Sequence, residues 1–147
     1  MKICIVSSCG GHLTEIRTLR EVYSQYDNFY VLNSKSQLPS DMSDKTYFIT
    51  HSERDWKFFL NLWEAFCLLR KKRPDMILST GAGPVIPFAI IGRLFFGVKI
   101  VFVETITRVQ TPSMTGRIMY RLAHVFYYQW EPLRRYFPKA IYGGTLL

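Results

Sequence analysis

The amino-terminal segment reads KICIVSSCGGHLTE over residues 2–15, and it decides the fold. The apolar run Lys2–Ser7 predicts a buried β-strand, and the loop Ser8–His12 that follows it carries a pair of glycines. Leu13–Tyr26 has apolar residues at helical spacing. Strand, glycine loop and helix in this order are typical of the first unit of a parallel α/β sheet.

The rest of the chain repeats this alternation of short apolar runs and longer helical stretches. The further predicted strands are Phe29–Leu32, Thr46–Ile49, Met76–Ser79, Ile100–Glu104, Val125–Tyr128 and Ala140–Tyr142. The further predicted helices are Asp55–Lys72 with Asp55 as its N-cap, Pro84–Phe96, Thr115–Ala123 and the short Pro132–Phe137. We therefore expect one domain over residues 1–147, with a Rossmann-like, doubly wound parallel sheet covered on both faces.

Composition fits a folded domain in a reducing compartment. The chain has 147 residues, 48% of them hydrophobic and 20% charged, which excludes a disordered protein. Three cysteines without metal-ligand spacing argue against a disulfide scaffold or a zinc site. No signal peptide is seen, and the longest charge-free run, Met76–Gly92, is shorter than the about 20 apolar residues of a spanning helix. We expect a cytoplasmic protein that is soluble or peripheral.

The net charge of +8 lies in the second half of the chain. Residues 1–69 hold 7 Lys and Arg against 8 Asp and Glu, whereas residues 70–147 hold 12 against 3. One face is therefore expected to meet nucleic acid, an anionic membrane or a phosphorylated substrate. The basic residues expected at a membrane surface, or else on solvated helix faces, are Arg70, Lys71, Lys72, Arg73, Arg117 and Arg121.

Two predicted helices are apolar nearly all round. Asp55–Lys72 keeps one narrow polar stripe, and Pro84–Phe96 has Arg93 as its single charge. Such helices are either sandwiched in the core or face lipid or a partner. Because a domain of this size has few places to bury both, some of this surface is expected to lie outside the core.

Two glycine loops follow predicted strands, Ser8–His12 and Ser79–Pro84. Backbone N–H groups beside glycines and at helix starts bind anions, and His12 could hydrogen-bond a phosphate or accept a proton. Ordinary tight turns are the alternative. The first loop is neither a dinucleotide fingerprint nor a Walker loop. Since loops at the carboxyl ends of parallel strands share a crevice, the pair favours a bound phosphate or sugar.

Glu104 ends an apolar predicted strand, where a carboxylate has no packing role. It could accept hydrogen bonds from sugar hydroxyls or orient His12. An ion pair with Arg108 is the structural alternative.

Three segments, in chain order, carry a family resemblance: Ser8–His12, Ser79–Pro84, and Val103–Val109 through Gln129 and Trp130. Together they resemble the membrane-associated, acceptor-side subunit of the two-subunit UDP-N-acetylglucosaminyltransferase of dolichol-linked glycan synthesis. The likeness is strongest to bacterial relatives in capsule and exopolysaccharide synthesis. Such proteins are similar to the amino-terminal half of GT-B glycosyltransferases.

The resemblance implies a site and two partners. His12 would be the general base or a diphosphate ligand, and Glu104 would contact the acceptor sugar. The residues at a polyprenyl-diphosphate-linked acceptor would be Ser8, Gly10, Gly11, His12, Gly81, Gly83 and Arg108. A second polypeptide, the equivalent of the carboxy-terminal GT-B half, would hold the UDP-sugar. No metal or other cofactor is implied, and the sequence has no Asp-x-Asp motif.

The alternative function is a non-catalytic nucleotide- or nucleic-acid-binding Rossmann module, because the isoelectric point is about 9.6. Against it, the basic residues are interleaved with long apolar helices and no nucleic-acid motif occurs. We therefore expect a glycosyltransferase subunit that is peripheral on the inner face of the cell membrane and does not bind nucleic acid.

Overall fold

A computed structural model describes residues 1–33, 40–50 and 56–146. Within these residues, seven strands form one sheet: β1 Lys2–Ser7, β2 Asp27–Leu32, β3 Thr46–Phe48, β4 Met76–Ser79, β5 Lys99–Val103, β6 Val125–Tyr128 and β7 Ile141–Tyr142. The order across the sheet is β3-β2-β1-β4-β5-β6-β7, and every neighbouring pair is parallel. The predicted parallel, Rossmann-like sheet is confirmed.

Helices connect the strands. Those in the described residues are α1 Gly11–Thr18, α2 Arg20–Tyr23, α3 Lys57–Lys72, α4 Val85–Phe95 and α5 Met114–Leu122. Two 3₁₀ helices span Ser40–Lys45 and Glu131–Arg135, the second in place of the predicted helix Pro132–Phe137. Asp55, the predicted N-cap of α3, lies outside the described residues.

The predicted helix Leu13–Tyr26 is two helices that meet at Leu19. The Thr18 hydroxyl donates to the Glu15 carbonyl at 2.7 Å, and the Leu19 N–H donates to Ile16, three residues back instead of four. A side chain that bonds to the helix backbone in this way competes with the α-helical hydrogen bond. The break follows from that local competition, which the apolar spacing does not reveal.

The strand order reverses at β1. Strands β2 and β3 lie on one side of β1, and β4 pairs with the other side. In that pair Ile3 lies opposite Met76 and Ile5 opposite Leu78. In an open parallel sheet the crevice at such a switch point is the usual place of ligand binding. It is the place where both glycine loops leave the sheet.

Apolar side chains pack on both faces of the sheet. On one face, Leu69 of α3, Phe88 of α4 and Met119 of α5 belong to a continuous buried cluster. On the other face, Ile16 of α1 and Tyr23 of α2 pack over β1 and β2. Burial of side chains of this size supplies the main stabilisation of the fold.

Helices lie on both faces of the sheet, as predicted, and within the described residues they cover the second face only in part. Beside α1 and α2, an apolar groove of about 470 Å³ follows the sheet, and its lining includes Leu78, Val101, Val103 and Tyr127. The other helices given above, α3, α4 and α5, all contribute to the buried cluster on the opposite face.

Aromatic side chains of α3 and α4 form an exposed surface, as the sequence predicts. Phe59 is 72% exposed, Trp63 66% and Phe95 63%. Phe66 stacks on Trp63 at 6.1 Å between ring centroids and meets Phe95 edge to face at 5.9 Å, so the two helices share one patch. In the part of the chain that the structure describes, no helix combines the length and the hydropathy needed to cross a bilayer.

Glu104 follows β5, is fully buried and holds the start of α5. Its carboxylate accepts hydrogen bonds from the Ser113 hydroxyl at 2.7 Å, the Ser113 N–H at 3.3 Å and the Thr105 N–H at 3.1 Å. The Ser113 oxygen in turn accepts from the Gly116 N–H at 2.8 Å, as the N-cap of α5. A carboxylate therefore does have a packing role here.

Gly116→Ala should lower the free energy of unfolding by about 1–3 kcal/mol, because the added Cβ would overlap the buried Glu104 carboxylate. Gly83→Ala is the matched control, since a Cβ there meets no atom within 4 Å and should change stability by less than about 0.5 kcal/mol. Urea unfolding of both variants measures the difference. Equal stability of the two would contradict the packing that we describe around Glu104.

Candidate functional site

The two glycine loops meet at the switch point between β1 and β4, as predicted. The Thr80 hydroxyl donates to the His12 carbonyl at 3.0 Å, and the His12 Nδ1 lies 3.3 Å from the Thr80 carbonyl oxygen. These reciprocal contacts join residues that are 68 positions apart. The loops therefore form one wall of a common crevice.

The first loop presents its backbone to solvent. Gly10 is the N-cap of α1 with φ of 101°, a conformation that only glycine adopts without strain, and as a glycine it has no side chain with which to cap the helix. Gly11 is exposed, and a Cβ added to it would meet no atom within 4 Å. Half-buried Ser8 precedes them. Uncapped N–H groups of this kind are the donors that bind anions at helix starts.

The second loop is shaped by its contact with His12. Gly81 has φ of 133°, and a Cβ added there would lie 2.5 Å from the imidazole ring. Ala82 has φ of 76°, which is strained for a residue with a side chain. Ser79 holds the turn, since its hydroxyl donates to the Gly81 carbonyl at 2.9 Å. Gly83 is exposed beside them.

The imidazole of His12 is held in one tautomer. Its Nδ1 faces the Thr80 carbonyl at 3.3 Å and the Glu15 carboxylate at 3.9 Å. Both groups only accept hydrogen bonds, so in the neutral ring the proton sits on Nδ1 and the lone pair on Nε2. The side chain is 30% exposed. An oriented, partly accessible imidazole whose Nε2 makes no hydrogen bond within the described residues has the geometry of a general base.

Glu15, for which the sequence predicts no role, is 2% exposed. One oxygen accepts from the Ile106 N–H at 2.8 Å and from the Gln129 amide, and the other accepts from the Thr105 hydroxyl at 3.1 Å. Glu15 thus ties α1 to the segments that follow β5 and β6. Its position three residues after His12, on the same helix face, was the signal available in the sequence.

Both roles expected of Glu104 fail in this geometry. Its carboxylate is bound to Ser113 and Thr105 and has no exposed surface for an acceptor sugar, and Glu15 takes the place beside His12. It makes no ion pair within 4 Å with Arg108, although both residues are described. Burial raises the pKa of Glu104, against the opposing effect of its hydrogen bonds to Ser113.

Arg108 lies at the same edge of the sheet as the glycine loops. Its N–H donates to the Thr105 carbonyl at 3.2 Å, in the loop that follows β5, and its side chain is exposed. Thr105 also contacts Glu15. The loop that carries this cation is therefore tied to the helix that carries His12.

The basic residues expected at a membrane fall in two places. Arg70, Lys71, Lys72 and Arg73 close α3, where Arg73 is the left-handed C-cap and the Lys72 ammonium lies 4.6 Å from the centre of the Tyr47 ring. Arg117 and Arg121 are both exposed on α5. The first group continues the helix that bears the aromatic patch, and the second does not.

Comparison with known sequences identifies the relatives of this chain. The profile of the family described as "Oligosaccharide biosynthesis protein Alg14 like" matches residues 52–146. The human UDP-N-acetylglucosamine transferase subunit ALG14 is 30% identical over 180 residues, covering 100% of this chain and 83% of the human protein. The Schizosaccharomyces pombe subunit alg14 is 37% identical over 77 residues, covering 50% of this chain and 37% of that protein.

Solved structures agree on the fold. Acinetobacter baumannii MurG superposes with a TM-score of 0.73 at 14% identity, covering 89% of this chain and 42% of MurG. A UDP-N-acetylglucosamine 2-epimerase from Rickettsia bellii gives a TM-score of 0.77 at 14% identity, covering 99% of this chain and 45% of the epimerase. The chain thus spans less than half the length of these two proteins and shares the Rossmann-like domain fold with each.

The family profile covers more than half of the chain, and the human relative aligns along all of it. This chain therefore belongs to the Alg14-like family of oligosaccharide biosynthesis proteins.

Proposed function

We propose that the protein is the acceptor-binding subunit of a two-subunit glycosyltransferase. The enzyme would transfer a sugar from a UDP-sugar to a polyprenyl-diphosphate-linked acceptor in capsular or exopolysaccharide biosynthesis. The observation that carries the proposal is the junction of the two glycine loops around an oriented His12, in a chain whose human relative is a UDP-N-acetylglucosamine transferase subunit.

The acceptor diphosphate lies at the uncapped start of α1 in this proposal. The N–H groups of the first turn and the exposed backbone at Gly10 and Gly11 donate to its oxygens. Gly83 leaves room at the second loop, and Arg108 adds a cation at the same edge of the sheet. Ser8 and Gly81 complete the lining.

His12 is the general base. The acceptor hydroxyl oxygen attacks the anomeric carbon of the donor sugar, the bond from that carbon to the diphosphate oxygen breaks, and UDP leaves with the electron pair. The hydroxyl proton moves to His12 Nε2. Glu15, 3.9 Å from Nδ1, then stabilises the imidazolium electrostatically.

A second polypeptide supplies the donor site. The described residues build one sheet and one wall of a crevice, whereas transfer needs the leaving diphosphate to be stabilised opposite the acceptor hydroxyl. The human and yeast relatives carry the word subunit in their names. We infer that this chain recruits or activates a donor-binding subunit equivalent to the remaining half of a GT-B enzyme.

The protein binds the inner face of the cell membrane peripherally. Trp63 and Phe95 are exposed in the aromatic patch of α3 and α4, and Arg70–Arg73 lies at the end of α3. Aromatic and apolar side chains enter the headgroup region, while each well-placed Lys or Arg contributes about 1 kcal/mol of attraction to anionic lipid.

His12→Ala should lower the rate of transfer by roughly 10²–10⁴-fold, because the proton acceptor is lost. Gly11→Val should also abolish transfer, since the side chain blocks the approach of the diphosphate, and it should fold because no atom lies within 4 Å of the new Cβ. Glu21→Gln, an exposed change on α2, is the control. Transfer to a lipid-diphosphate acceptor by the reconstituted complex is the measurement. Wild-type rates for both variants would show that this crevice takes no part in the reaction.

The purified chain should show no turnover with a lipid-diphosphate acceptor and a panel of UDP-sugars, and should gain turnover when the candidate donor-binding subunit is added. The physical reason is that one crevice wall cannot position both substrates. If the isolated chain turned over as fast as the mixture, the two-subunit proposal would be wrong.

Reversing the charge of Arg70 and Lys71 to Glu should weaken sedimentation with anionic vesicles, and raised salt should do the same. The matched control reverses Arg17 and Lys45, two exposed basic residues elsewhere. A DNA duplex of equal charge should retain less protein than the vesicles. If neither raised salt nor the α3 substitutions changed the amount of protein that sediments with the vesicles, the attachment would be due to the aromatic patch alone.

A further inference from the structure

A second cavity, of about 570 Å³, opens beside α5 and carries concentrated positive charge. It shares no lining residue with the crevice around His12. Its basic lining residues are Arg117, Arg121, His124 and Lys139. All four are exposed, while the aromatic residues Phe126 and Phe137 form the buried part of the lining.

These charges have no partner of opposite sign in the described residues. No carboxylate there lies within 4 Å of the charged groups of Arg117, Arg121 or Lys139. Arg117 and Arg121 are four positions apart on α5, and like charges at this spacing destabilise a helix. The repulsion between the two guanidinium groups therefore opposes folding of the helix, and a bound anion would offset it.

Aromatic residues contact the guanidinium group of Arg117 and the backbone of Lys139. The Arg117 guanidinium lies 5.8 Å and that of Arg135 4.9 Å from the centre of the Tyr136 ring. The Tyr120 hydroxyl accepts from the Lys139 N–H at 3.0 Å and so fixes the turn that bears this lysine. Cations that are positioned before binding lose less entropy when a ligand arrives.

The surroundings of His124 add to the positive field. Its Nδ1 accepts from the Ile100 N–H at 3.1 Å, so the proton of the neutral ring sits on Nε2, where it can be donated. Desolvation, together with the nearby Arg93 and Lys99, lowers the pKa of His124. The ring is therefore a neutral donor among cations at neutral pH.

We propose that this cavity binds a phosphate-bearing ligand, with Arg117, Arg121 and Lys139 as the phosphate contacts. Guanidinium groups bind phosphate oxygens bidentately, and a lysine adds a point charge. The ligand is either the headgroup of an anionic phospholipid or a soluble phosphate compound. The inference adds a specific role for Arg117 and Arg121 to the membrane attachment in the proposed function. It does not depend on glycosyl transfer.

The test uses the full chain and two probes. Inorganic pyrophosphate is titrated by calorimetry, and vesicles of phosphatidylcholine with and without phosphatidylglycerol are titrated by sedimentation. Arg121→Gln and Lys139→Gln should each weaken binding of the effective probe roughly ten-fold, because each removes one charge-assisted contact. Lys45→Gln removes the same charge from an exposed position elsewhere and should leave binding unchanged. Arg121→Lys, which keeps the charge, should recover part of the loss.

Saturable pyrophosphate binding that the two cavity variants weaken supports a site for a soluble phosphate compound. Binding to phosphatidylglycerol vesicles alone, with the same sensitivity, supports a headgroup site. The proposal is overturned if neither probe saturates, or if Lys45→Gln and the cavity variants bind alike. The α3 charge reversal and the transfer assay use other residues. If either of those predictions proved wrong, the result of these titrations could still be interpreted on its own.

Discussion

The buried carboxylate of Glu15 is the constraint on which the crevice depends. It accepts hydrogen bonds from Thr105, Ile106 and Gln129, so α1 and the segments that follow β5 and β6 meet at this one carboxylate. A buried charge is tolerated only when its hydrogen bonds are made, and separating these segments would leave it unpaired. The orientation of His12, one turn earlier on the same helix, follows from this arrangement.

Among the described residues, the two buried carboxylates act as internal ties, and the basic side chains are partly or fully exposed. Glu104 organises the start of α5 through Ser113, and Glu15 organises the edge where the proposed chemistry takes place. The exposed features then separate by position, with aromatic rings on α3 and α4 and arginines on α5. The fold thus presents surfaces of different chemistry at different places.

Local patterns in the sequence predict the elements well and the site only in part. β1, β4 and β6 have the predicted bounds, and the two glycine loops meet because parallel topology forces them to. Glu15 was missed because its partner Gln129 lies 114 residues away, a contact that no local pattern encodes. Glu104 was misassigned for a similar reason, since the polar cap that buries it forms only when Ser113 folds back.

The pairing of β1 with β4 has a consequence for how the protein folds. Ile3 and Met76 are neighbours in the sheet, so a loop of more than seventy residues must close before the two glycine loops can meet. Contacts of such high sequence separation are made late and slow the folding of a domain. During synthesis, the first three strands can therefore emerge and pair among themselves before the second glycine loop reaches the first.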